Sequence, residues 1–391
     1  MEKKKENIQM YILSAFAIIF VLLGHITSPY TRTEMFTFNG WFPYYSFHLQ
    51  IFMFITGYFY KSLSEKNVIK FIIKKFKTIL VPFFGFNGVF LVLQTILHNF
   101  GFSMGQTFSF YNWIIFPFLH TQPLTFGIAT WYLFVLFFAE ILYVCIRKIV
   151  LVLFQKQIIY ELIMLLIFLI NGVFLCFLVN NYKINDIVVI YMRPFLMLFF
   201  IQLGRIYKLY LEIKLKNIDI TMYFIIIFIV QGCVILLSHN DRLAPGLYGM
   251  VGFSYSGIFY FITGIIGIMF WLKISQMIDS MDYNLKCLIN IGKNTKYIMT
   301  FHLFGYFILN CIIYVLAKNG YAMRYFQYFD KNKFFSSIYY TCTYEPRVIL
   351  IYLTFGIVIS MLLAYILTNI KEKCEKLIKY ICSKGKLQKL S

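Results

Sequence analysis

Ten stretches of about 20 predominantly apolar residues, parted by polar or Gly/Pro-containing breaks, restrict this chain more than any other feature. At a helical rise of 1.5 Å per residue, such a stretch crosses the roughly 30 Å hydrocarbon core of a bilayer. The windows fall at 8–28, 43–60, 79–98, 128–146, 158–180, 187–204, 220–238, 254–272, 297–316 and 348–368. The expected fold is an all-α integral membrane protein, a single bundle of about ten transmembrane helices. The second window is short, and the sixth carries Arg193 and Pro194. Only 13% of residues are charged, about half the share typical of soluble domains. That excludes an ordinary soluble enzyme, a disordered chain and a fibrous repeat. The first window is long and no small-residue cleavage site follows it, so it reads as a retained span.

The net charge of +20 would point to nucleic acid in a soluble protein. Here the basic residues alternate with the apolar windows. Segments 1–7, 61–77, 147–156, 205–216, 273–296 and 371–389 hold 27 of the 36 Lys and Arg. A bias at every second loop is the positive-inside pattern, which puts both the N- and C-termini in the cytoplasm and fits an even span count. The charge is therefore topology, and no nucleic-acid partner is expected. Residues 1–370 form the membrane domain and 371–391 a basic cytoplasmic tail.

Three loops stand out. Residues 61–77 set Val68, Phe71, Ile72, Ile73 and Phe76 among lysines, suiting an interfacial helix on anionic membrane lipid or a plain positive-inside anchor. Residues 99–127 lack Lys, Arg, Asp and Glu, as a re-entrant or lid segment packed on protein would. Residues 317–347 form the longest external loop, combining Arg324, Lys331, Lys333 and Arg347 with six tyrosines, Tyr339 and Tyr340 among them. The cysteines show neither a CxxC pair nor metal-ligand spacing, so no metal and no disulfide framework is expected.

An ionisable side chain inside an apolar span is costly and is a functional candidate by default. His25 lies about 25 Å along the first span, and His48 about five residues into the second, returning span. Both fall in the outer half of adjacent helices and are candidates for one acid–base site. His302, about five residues into the ninth span, is expected nearer the cytoplasmic face. Glu140 is the only formal charge from Thr78 to Ile146; it is either a helix bridge or a group facing a wet cavity. Arg193 and Arg347, at the outer starts of two spans, are headgroup anchors or anion contacts, with Glu345 the obvious partner of Arg347.

The runs SAFAIIFVLLGH (Ser14 to His25) and FHLQIFMFITGY (Phe47 to Tyr58) resemble the opening of the acyltransferase 3 family of integral membrane acyltransferases. KKFKTILVPFF (Lys74 to Phe84), TWYLFVLFFAEIL (Thr130 to Leu142), RPFLMLFFIQLGRIY (Arg193 to Tyr207) and IGKNTKYIMTFHLF (Ile291 to Phe304) follow in family order. The resemblance implies ten spans in a bacterial cell membrane. It also implies transfer of an acetyl or other short acyl group from cytoplasmic acyl-CoA to a sugar hydroxyl of a polysaccharide or lipid-linked glycan. By resemblance His25 is catalytic. Ser14 stands where the family often has Arg or Lys, leaving Lys3, Lys4, Lys5 or the 61–77 cluster to hold the CoA phosphates. Thr56 replaces the usual Ser before Gly57 and Tyr58 and keeps the hydroxyl.

The expected mechanism follows from depth. A pantetheine arm of roughly 15–20 Å carries the thioester from the inner face towards His25, whose neutral imidazole acts as general base near its ordinary pKa of about 6.5. His48 orients His25 or protonates the leaving thiolate. Tyr58, Glu140, Arg193, His302 and Arg347 are candidate substrate contacts, and the tyrosine-rich external loop stacks on glycan rings or forms an interfacial belt. The competing reading is a transporter or flippase of lipid-linked saccharide. It lacks the internal repeat such folds often carry. A glycan polymerase would call for an arginine-rich outer face, and few arginines lie there.

Overall fold

The computed structural model describes residues 7–26, 41–121, 125–151, 157–238, 243, 250, 257–281, 284–319, 326, 329–342 and 346–387. Helices dominate these residues, and no strand occurs among them. Setting aside short pieces of six residues or fewer, the first four helices are α1 (Ile8–His25), α2 (His48–Tyr58), α3 (Val68–His98) and α4 (Trp131–Leu151). Then come α5 (Gln157–Asn181), α6 (Asp186–Lys216), α7 (Ile220–Leu237) and α8 (Ile258–Asp279). The last are α9 (Lys286–Lys293), α10 (Thr295–Lys318) and α11 (Pro346–Leu387).

Among the described residues, eight helices are long and apolar enough to cross a membrane: α1, α3, α5, α6, α7, α8, α10 and α11. The second and fourth sequence windows are also helical. Helix α2 has only 11 residues, a rise of about 16 Å. Helix α4 has 21, with Glu140, Arg147 and Lys148 among them. Within the lysine-rich segment a short helix, Leu63–Lys66, ends at Asn67, and a second runs on from Val68 through a π-type turn at Phe76–Leu80 into the third span. Helix α11 likewise continues through residue 370 without a break.

Burial sorts the helices into layers. The most apolar window is 67% buried in α1 and 78% in α6, against 22% in α5 and 17% in α7. The outer helices thus present apolar side chains outward, as lipid contact demands, and turn polar groups such as Glu161 of α5 and Gln231 of α7 inward. Helix α1 touches α2, α8, α9, α10 and α11, and α6 touches α2, α4 and α5. The short helix α2 is wedged between the two. In lipid no hydrophobic drive brings helices together, so close backbone contact has to be built in by small residues. At the α2–α6 crossing a Cβ on Gly57 would fall on the carbonyl oxygen of Ile201, and one on Gly204 on that of Phe54.

A knot of buried charge fastens α4, α5 and α6. Arg147 donates from Nε to Glu65 (2.6 Å) and from Nη1 and Nη2 to Glu161 (2.7 and 2.9 Å). Arg205 donates from Nε to the same Glu161 carboxylate (2.8 Å) and from Nη2 to Ser62 (3.0 Å). Gln202 donates to Glu161 at 2.7 Å, and Tyr60 and Tyr160 stack on the Arg147 guanidinium. Two arginines face two glutamates, so the charges cancel, and both oxygens of Glu161 have donors. That satisfaction is what makes buried ions tolerable. Glu161, the carboxylate at the centre, escapes the sequence reading although it falls inside the 158–180 apolar window.

Candidate functional site

Apart from the charge knot, two places among the described residues gather histidines or lysines, one at each end of α2. The first is built on histidines. His25 ends α1 and stays partly accessible. Its Nδ1 lies 2.7 Å from Nε2 of His302 on α10, the rings nearly parallel at 10°. His302 is fully buried, with Nδ1 2.9 Å from the Ile298 carbonyl oxygen and the Tyr306 ring packed edge-on. Tyr306 in turn donates to the Leu22 carbonyl at 3.0 Å, locking α10 to α1 just below His25.

This differs from the expected depth of His302, and the reason is local. A Cβ on Gly292 would fall on the Tyr11 carbonyl oxygen, so α9 packs directly on the backbone of α1 near its start. His25 and His302 are in direct contact, so the two side chains share one level of the bundle.

His48 starts α2 and is 6% exposed. Its Nδ1 bonds the Tyr44 carbonyl (2.8 Å), and its ring stands edge-on to Tyr45 at 5.0 Å. Tyr45 donates to the Gly24 carbonyl (2.8 Å), one residue before His25. The two histidines expected to form a pair are thus neighbours through Tyr45, while the direct partner of His25 is His302. The loop 329–342 closes over this end. Asn310 donates to the Tyr340 carbonyl (2.8 Å), and Cys342 N–H donates to the Tyr352 hydroxyl (3.0 Å). So held, the Tyr339 ring comes 6.0 Å from His25.

The second place is a cavity of about 820 Å³ at the other end of α2, lined by Thr56, Tyr60, Tyr143 and five lysines of segment 61–75. Glu140 lies on its wall and is paired with Lys75 at 2.5 Å. The alternatives of bridge and cavity group are both realised in this one carboxylate. Lys61, Lys66, Lys70 and Lys74 also line the cavity and have no carboxylate partner among the described residues. The cavity wall at Thr56 and the histidine end at His48 are eight residues apart on one helix, about 12 Å.

The remaining candidates lie elsewhere. The Tyr58 hydroxyl joins Asn7 (2.8 Å), Glu212 (2.8 Å) and Lys208 (2.9 Å), a polar clasp between the start of α1 and the end of α6. Arg193 is buried, with Nη1 donating to the Thr121 carbonyl (2.8 Å) and its guanidinium over the Trp131 ring. It pins the uncharged 99–127 segment. Trp113 in that segment donates to the Phe84 carbonyl (2.8 Å), and Ser103 N–H bonds the Phe335 carbonyl (2.8 Å). Arg347 is exposed at the start of α11, and its expected partner Glu345 lies outside the described residues, as do Tyr321, Tyr325, Tyr328 and Tyr344. No group of three His, Cys, Asp or Glu able to hold a metal occurs among the described residues.

A histidine-bearing membrane bundle with a cationic cavity defines a class that family comparison resolves. The acyltransferase domain model of the acyltransferase 3 family matches residues 12–369, and the chain belongs to that family of multi-pass membrane acyltransferases. Comparison with curated proteins and with solved structures finds no match.

Proposed function

We propose that this enzyme moves an acetyl or other short acyl group from cytoplasmic acyl-CoA to a sugar hydroxyl of a bacterial envelope polysaccharide or its lipid-linked precursor. The carrying observation is the separation along α2: a lysine-lined cavity at Thr56 and a histidine site about 12 Å away at His48. Lys61, Lys66, Lys70 and Lys74, which form no ion pair among the described residues, suit the phosphates of a coenzyme A nucleotide, and a pantetheine arm is long enough to span the distance. The positive-inside bias supports a cytoplasmic side for the lysine cavity and an outer side for loop 329–342. A flippase would need a route for the whole saccharide, which this separation does not call for.

In the reaction, the acceptor hydroxyl reaches His25 beneath Tyr339. The imidazole takes the hydroxyl proton as the oxygen attacks the thioester carbonyl. The tetrahedral adduct collapses, the C–S bond breaks, and the imidazolium returns the proton to the departing thiolate. The products are an O-acyl sugar and free CoA-SH. His48, held by Tyr44 and Tyr45, walls the site beside the Gly24–His25 turn.

The test is His25→Ala in the native host, with glycan acyl content read by NMR and protein level by immunoblot. Loss of acylation with normal protein supports the reading. Unchanged acylation removes His25 from catalysis, and a block in glycan export supports the flippase instead.

A further inference from the structure

We infer that His302 is a positioning residue that fixes the tautomer of His25, leaving the outer nitrogen Nε2 as the base; the inference rests on the reading of His25 above. A backbone carbonyl only accepts hydrogen bonds. The contact of His302 Nδ1 with the Ile298 oxygen at 2.9 Å therefore puts a proton on that nitrogen. In a neutral imidazole the other nitrogen then carries a lone pair. His302 Nε2 must accept, and the proton in its 2.7 Å contact with His25 belongs to His25 Nδ1. It follows that His25 Nε2 is the free lone pair.

The neutral assignment has a structural footing. No carboxylate is paired with either ring among the described residues. His302 is wholly buried, and an unpaired buried charge is expensive. The chain Ile298 carbonyl, His302, His25 thus does the orienting that a carboxylate does in a hydrolase triad, without placing a formal charge in the membrane. When His25 takes a proton on Nε2, its Nδ1–H bond to His302 strengthens as the ring becomes cationic. The ring does not turn over to offer Nδ1 instead, because Tyr306 holds His302 and α10 to the Leu22 turn.

An apolar residue at 302 would leave His25 Nδ1 facing hydrocarbon. The tautomer with its proton on Nε2, turned to the accessible side, would then be favoured, and the base would be lost. Holding the wrong tautomer costs up to about 10⁴ in kcat in hydrolase triads.

The experiment uses the full chain labelled with ¹⁵N-histidine in lipid nanodiscs. Side-chain nitrogen spectra report which ring nitrogen bears hydrogen, and His25→Ala identifies the His25 signals among those of the six histidines. Wild type should show His25 protonated on Nδ1 and His302 on Nδ1. His302→Leu should move the His25 proton to Nε2 and lower kcat for acetyl-CoA-driven acylation of host glycan by about 10² or more, the scale of a lost orienting group. KM for acetyl-CoA should stay within about two-fold, since the donor cavity is untouched. His302→Gln offers a carbonyl oxygen at similar reach and should keep the wild-type tautomer and at least about a tenth of the rate. A wild-type His25 already protonated on Nε2, or a His302→Leu enzyme of normal rate, overturns the inference. Should His302→Leu fail to fold, the wild-type spectrum still decides. If His25 is not the base at all, His25→Ala remains active; if only the role of His302 is wrong, His25→Ala is inactive while His302→Leu is not.

Discussion

Glu161→Gln should loosen the bundle where α4, α5 and α6 meet. The carboxylate accepts four hydrogen bonds: from Arg147 Nη1 at 2.7 Å, Arg147 Nη2 at 2.9 Å, Arg205 Nε at 2.8 Å and Gln202 Nε2 at 2.7 Å. Glutamine keeps the shape and one oxygen, but removes the charge and replaces the other oxygen with a donor that faces guanidinium hydrogens. Two arginines with side chains 1% and 7% exposed are then answered by Glu65 alone. Hydrogen bonds to charged groups contribute about 1.5–3 kcal/mol each, and whichever oxygen becomes the amide nitrogen, two of the four contacts are lost or reversed, about 3–6 kcal/mol in all. Breaking a buried pair costs about 3–5 kcal/mol, and the two ranges overlap. The assay is unfolding of the purified full chain by SDS titration in mixed micelles, read by tryptophan fluorescence. Glu375→Gln is the control: its 3.9 Å pair with Lys371 is exposed, and such pairs contribute less than about 1 kcal/mol. A Glu161→Gln protein within about 1 kcal/mol of wild type would refute the claim that this knot ties the three helices, since that is the scale of the exposed control.

Other outcomes follow from the same contacts. Gly57→Ala sets a methyl group on the Ile201 carbonyl and should cost at least the roughly 1–3 kcal/mol of overpacking, measured by the same titration; a neutral result would mean the α2–α6 crossing is looser than described. The double change Lys70→Ala with Lys74→Ala should raise KM for acetyl-CoA about ten-fold and leave kcat unchanged, the pattern of lost ground-state binding. Raising salt should weaken wild type in the same direction, because exposed lysines are screened; an unchanged KM would move the donor site elsewhere.

The helical bundle is plain in the sequence because spacing of apolar windows is a one-dimensional signal, and lipid permits few other solutions. His25 and Glu140 are legible for a related reason: against an apolar background a single polar group is conspicuous. What sequence cannot supply is the depth at which a span begins. Counting from the first apolar residue of the ninth window separates His302 from His25, but packing of α9 and α10 on α1 brings the two rings into contact. Glu161 is hidden differently. Its donors come from Arg147, Gln202 and Arg205, which read as span ends and loop edges until the helices are packed. Lys75 and Glu140, 65 residues apart, meet only once α3 and α4 are packed together.

The shortness of α2 has a consequence for what crosses the membrane under the proposed reaction. Donor and acceptor approach opposite ends of a helix about 16 Å tall, so neither has to pass the other's compartment. CoA withdraws the way it came, and the glycan never enters the lysine cavity. The sole cargo is the acyl group, which leaves one aqueous phase as a thioester and arrives in the other as an ester. On the proposed reading, the bond exchange would itself be the translocation step, its direction set by the higher energy of the thioester.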